Sequence, residues 1–298
     1  MDRDESVALF ERCEAARGKA RDAALAKGKS ARNAHRIAHD AAKAIWNAWA
    51  DERFAERADL EASGRWAAEA DETGSLEAKN DDTSQWMETA SASFRSCHFL
   101  VAGARAPAED AQGASVGSAE PVRSIHLADT VANFSGFVFP CDGLFSSARF
   151  SGDASFDGVR FSGPAWFEHA GFSGGASFDS AGFSALAWFD GAAFAGPTRF
   201  ADASFAGGTS FDSARFCGHT SFQRARFSGP AFFDSARFTG DARFEHATFA
   251  GHVWFNSAAF TGDAWFDSAS FPGSASFDRA RFSGIAQFGY HLSDAAER

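Results

Sequence analysis

Ala264-Trp265-Phe266-Asp267-Ser268-Ala269-Ser270-Phe271-Pro272-Gly273-Ser274 is one 11-residue unit of a pattern that fills the second half of the chain. Phe stands at its third and eighth places. The same two places are Phe in every unit from Phe134 to Phe288, so 29 consecutive positions keep a strict five-then-six alternation of spacing. A helical stripe needs spacings of 3 and 4, and a flat sheet needs strict alternation broken by turn signals, so neither accounts for this rhythm. A solenoid does, because each short side of a coil sends one large side chain inward. Composition agrees: of 298 residues 35 are Phe and one is Tyr, which suits a geometry that accepts one shape again and again.

Around each Phe the neighbours are equally restricted. Two residues before it the chain is small: Ala at 10 of 15 first places and 12 of 14 second places, with Thr198, Thr209 and Thr220 among the exceptions. In an extended segment positions i and i−2 face one side, so the small residue accompanies the ring inward. Two residues after the second Phe, 12 of 14 positions are Gly, with Cys141 and Ala185 the departures. This predicts a corner there that needs positive φ. Directly after the first Phe, 9 of 15 positions are Asp or Glu, among them Asp157, Asp179, Asp212 and Asp234, which predicts carboxylates accepting from turn amides.

Units such as Ala-Trp-Phe-Asp-Ser and Ala-Ser-Phe-Pro-Gly at 264–273, and Ala-Ser-Phe-Asp-Ser at 176–180, resemble the five-residue unit of pentapeptide-repeat proteins, with a small residue at i−2 and Phe at the centre. The resemblance covers 132–288 and implies a mainly β fold, a right-handed quadrilateral β-helix. The extra residue in every second unit sets this chain apart, as do acidic residues just after the central Phe instead of just before it. Two 11-residue units make a 22-residue coil, so 132–288 holds about seven coils stacked at about 4.8 Å, a rod of about 34 Å.

Residues 1–66 read as an N-terminal α-helical region punctuated by Gly: a helix over 5–17 ending at Gly18, a short piece over 20–27, and a long helix from an N-cap at Ser30 to a stop at Gly64. Ile37, Ala41, Ile45 and Trp49 beside Ala34, Ala38, Ala42 and Trp46 form an apolar stripe. It packs on the first helix through Val7, Phe10 and Cys13 or covers an end of the solenoid; alternatively Ile37, Ile45 and Trp49 contact a partner. Residues 67–91 read as a linker. Residues 92–131 read as an irregular first coil, with Phe94 and Phe99 in repeat spacing and a loop inserted at 102–121, and 289–298 as a C-terminal tail.

A net charge of −11 argues against direct nucleic-acid binding, which needs clustered Lys and Arg. The start is charged on both signs without an apolar stretch, and no run of 18 apolar residues exists, so a cytoplasmic protein without a membrane span is expected. Four cysteines lack ligand spacing, His169 and His246 lie several coils apart, and no nucleophile elbow or phosphate loop is present. No catalytic residue, metal or cofactor is therefore expected. One feature points outward: Trp166, Trp188, Phe232 and Trp254, each just before a first-place Phe, are separated by multiples of 22, with Ser210 and Ser276 in the gaps. Stacked on one face, they form a candidate interaction surface. The reading is a non-enzymatic rigid scaffold for protein–protein interaction or self-association as a homodimer. The resemblance also implies an alternative, since some pentapeptide-repeat proteins mimic DNA and bind type II topoisomerases; ten arginines in the repeat weigh against it.

Overall fold

The computed structural model describes residues 1–70, 76–100, 123–127 and 130–289. From Val131 onward the chain winds through four parallel sheets, one per face of the coil. Face one runs from Val131–Asn133 to Ala286–Gln287 and face two from Val138–Phe139 to Thr248–Phe249. Face three runs from Ala92–Ser93 to Ala275–Ser276. Face four runs from Arg123–His126 and Cys97–Leu100 to Arg281–Phe282. Along the repeat each strand pairs with the strand one 22-residue coil further on, as in Ala154 beside Ala176 and Phe161 beside Phe183. Phe156 stacks on Phe178 at 4.8 Å and 4°, while Phe167 meets Phe156 edge-on at 5.3 Å and 90°. The 22-residue coil is thereby established. Phe94 and Phe99 stack on Phe145 and Phe150 and form a half coil ahead of the regular ones, so the solenoid has about eight turns.

The core is a column of buried phenylalanines from Phe94 to Phe266, with Ala beside most rings and Phe137, Val159 or Val253 beside others. Parallel strands two residues long have little ladder of their own, so stability comes from ring burial, on the order of 2 kcal/mol per side chain, and from amides that bond the next coil.

The corners differ from expectation. Positive φ falls two residues after the first Phe, at Gly158, Ser180, Asp202, Ser213, Arg224 and their equivalents, not at the recurrent Gly after the second. At that corner the amide three residues after Phe bonds back to it, as Ala214 N to Phe211 O at 3.0 Å, and the left-handed residue bonds the next coil, as Ser213 N to Asp234 O at 2.9 Å. These bonds hold Ser, Asp, His and Arg in a conformation that costs about 1–2 kcal/mol. The Gly after the second Phe serves close approach: a Cβ on Gly229 would lie 2.6 Å from the carbonyl carbon of Gly207 one coil earlier.

Ahead of the solenoid, helix α1 spans Arg3–Ala26 and α2 spans Ala31–Ala62. The break expected at Gly18 does not occur. Packing of α1 along α2 outweighs the roughly 1 kcal/mol that a mid-helix Gly costs. Ser30 caps α2 as expected, and Gly64 follows its end at φ +69°. The segment 67–91, expected as a linker, holds an antiparallel pair, Ala68–Ala70 with Leu76–Ala78, and helix α3, Asp81–Ala90, capped by Asn80. The expected loop at 102–121, and all of the expected tail but Gly289, lie outside the described residues.

The helices close the N-terminal end of the coil stack. Phe10 of α1 lies over Phe134 at 4.6 Å and 23° and meets Phe94 and Phe99 edge-on, so its ring takes the place of one more rung. Trp46 of α2 packs on Phe137 and Phe139. Their neighbours satisfy the strand edge: Trp46 Nε1 donates to Val138 O at 2.9 Å, Asn47 pairs with both Gly136 O and Val138 N at 3.1 Å, and Arg17 donates to Asn133 O at 2.7 Å. Ser93 N donates to Ser6 Oγ at 2.9 Å. Such edges otherwise template pairing with other chains. Both packing alternatives drawn from the apolar stripe are thus realised together.

Candidate functional site

All four aromatics of the candidate surface lie on face three, in the outward place of strands that pair in register: Trp166 beside Trp188, and Phe232 beside Trp254. They form two pairs, not one continuous stack. Trp166 meets Trp188 at 5.1 Å and 66°, and Phe232 lies flat on Trp254 at 4.7 Å and 5°. Ser210 occupies the rung between the pairs, and its hydroxyl donates to Asp190 Oδ1. All four rings are half-buried, so part of each remains in solvent. None belongs to the core, which is complete without them. Trp265 sits on face one, where the guanidinium of Arg243 covers it at 5.0 Å.

Beside the aromatics runs a column of acids, Glu168, Asp190, Asp212, Asp234, Asn256 and Asp278, with Asn256 its one neutral member. Three of these side chains serve not their own turn, as expected from sequence, but the coil above, while Glu168 accepts from Ser146 on the coil below and Asp278 faces Arg279 in its own turn. Asp212 Oδ1 accepts from Asp234 N at 2.8 Å, Asp234 Oδ1 from Asn256 N at 2.7 Å, and Asn256 Oδ1 from Asp278 N at 3.1 Å. Burial, followed by the charges of Asp190 and Asp234, pushes the Asp212 carboxyl up to about 6. On the opposite corner Asp157 and Asp179 accept from the next coil in the same way.

The candidate helix contacts are placed otherwise. The buried row of α2 is Ala34, Ala38, Ala42, Trp46 and Ala50. Ile45 and Trp49 pack against the solenoid core at its flank, and Ile37 is half-buried. Among the described residues no group of three or more His, Cys, Asp or Glu is placed to hold a metal ion. Cys13 and Cys141 are buried, and burial pushes their thiols up to about 12 and about 11, leaving both protonated. Cys217 is exposed.

A family model described as pentapeptide repeats, in nine copies, matches residues 132–182, 189–234 and 222–270. Residues 132–270 of the chain are pentapeptide repeats. No curated protein and no solved structure matches the chain. The matched stretches include Trp166, Phe232, Trp254 and most of the acidic column, and Trp188 falls in the gap between the first two of them. No helix among the described residues is long and apolar enough to cross a membrane.

One set of surface residues escaped the sequence reading. Arg149, Arg215, Arg237 and Arg281 occupy the outward place of face four, just before the second Phe of the unit. The signal was present in their spacing by multiples of 22, the same test that picks out the aromatics.

Proposed function

We propose that this pentapeptide-repeat solenoid is a non-enzymatic scaffold that docks a protein, external or a second copy of the chain, through the aromatic pairs of face three. The observation that carries this is the placement of four large aromatics in one outward column of a wall that does not need them. Paired, half-exposed rings offer rigid apolar area at little entropic cost, the character of interface anchors. The acids beside them and the short-rung rigidity of the coil suit recognition without chemistry. Ile45 and Trp49 are engaged with the solenoid core, which favours face three over the helices as the docking surface. The DNA-mimic reading, with a topoisomerase as partner, is weakened by outward arginines on all faces but the third.

Sedimentation over a concentration series tests the proposal for a second copy. Wild type should associate, and the variant with Trp166, Trp188 and Trp254 all changed to Ser should stay monomeric with an unchanged melting temperature. A wild type that stays monomeric leaves an external protein as the partner. Equal association of the two proteins would remove face three from the account.

A further inference from the structure

Five of the ten repeat arginines have partners. Arg149 donates to the carbonyl of His169, Arg199 pairs with Asp179 at 2.6 Å, Arg224 grips both oxygens of Asp202, Arg243 covers Trp265, and Arg279 faces Asp278 at 3.6 Å. Arg215, Arg237 and Arg281 have no ion pair or side-chain hydrogen bond among the described residues, and all three stand in the outward column of face four. Arg215 and Arg237 are on adjoining rungs, where like charges repel. Above Arg237 the column is interrupted by Ala259 and then resumes with Arg281. Core rings on these rungs stack at 4.8 Å, so the two arginines bracket a gap two rungs high with a methyl floor. An open cleft of about 470 Å³ lies there, lined by Ser235, Arg237, Ser257, Ala259, Arg279 and Arg281.

The electrostatics of the neighbouring corner change at the same rung. The acidic column flanks face four, and its one neutral residue, Asn256, is on the coil that supplies the floor. The nearest carboxylates are engaged: Asp234 accepts from Asn256 N at 2.7 Å, and Asp278 faces Arg279. We propose that this cleft binds a small tetrahedral oxyanion of the phosphate type, held by the guanidinium forks of Arg237 and Arg281 with Arg279 and the hydroxyls of Ser235 and Ser257 around it. Guanidinium forks match the paired oxygens of such an anion, and an anion between them relieves the mutual repulsion of the column. An extended polyanion is not the ligand, because acidic residues on the adjoining corners and a net charge of −11 repel it.

The test is titration of the full chain at low ionic strength with inorganic phosphate and, in a parallel arm, phenyl phosphate, followed through arginine side-chain Nε–H resonances. Saturable binding is expected, with Kd rising at least tenfold in Arg237→Gln, in Arg281→Gln and in Asn256→Asp, and unchanged in Arg160→Gln on face two. Melting curves check that each variant is folded. Binding of the ester at least as tight as that of the free ion assigns the site to a phosphorylated molecule, and preference for inorganic phosphate assigns it to the free ion; both uphold the site. Absence of saturation, or equal losses in the Arg160→Gln control, overturns it, as does unchanged affinity in Asn256→Asp.

Discussion

Asp212 shows how one residue carries the cost of a repeat. Its carboxylate is needed as an acceptor for Asp234 N, yet it is partly desolvated and stands between Asp190 and Asp234. With its folded value raised to about 6, the folded state holds the proton more tightly than the unfolded one. This group's contribution to stability is therefore full below about pH 4 and is lost as pH rises through about 6. Asn keeps the acceptor oxygen without the charge, as Asn256 does one turn beyond Asp234. Asp212→Asn should raise the melting temperature at pH 7.5, by the equivalent of about 1 kcal/mol after allowance for solvent screening, and leave it unchanged near pH 4. Melting curves at the two pH values check it. The contact glycines give a second residue-scale expectation: Gly229→Ala should cost about 1–3 kcal/mol, because its methyl would meet the backbone of Gly207, whereas Ser228→Ala beside it should be neutral in the same melts. That these glycines recur was plain in the sequence. Their reason was not, since composition cannot separate a glycine chosen for positive φ from one chosen for lack of a Cβ, and the true left-handed places hide under Ser, His, Asp and Arg.

At the scale of elements, α1 and α2 act as a molecular plug, and the plug copies what it covers. Phe10 continues the stack of rings, and Asn47 continues the hydrogen-bond ladder of face two with its side-chain amide. Phe10→Ala should cost about 3–5 kcal/mol, as expected for an aromatic removed from a closed core, and its effect should be strongest in the first coils. Asn47→Ala should speed hydrogen exchange at Val138 while amides of the central coils keep their protection. The apolar stripe of α2 was legible from its four-residue spacing. The unbroken α1 was not, because a tertiary contact decides whether Gly18 ends a helix. Helix α3 could have been found: Asn80 followed by Asp81 and Asp82 is an N-terminal signal, and Trp86 then anchors through Nε1 to Arg53 O at 2.7 Å.

For the whole molecule, the 22-residue coil turns sequence period into columns: aromatic on face three, arginine on face four and acidic at the corner between them. The coil and its core were readable because two spacings repeated without error. The use of each outward column was less so, since its residues vary and only stacking shows which become neighbours. The central claim is that face three is the docking wall. Photo-crosslinking in the native cell tests it most directly, with benzoylphenylalanine placed at Trp188 and, as control, at the exposed Ser204 on face two. The account predicts one discrete adduct, a partner protein or a second copy, from position 188 and none from 204; adducts of equal yield from both positions, or from 204 alone, would contradict it.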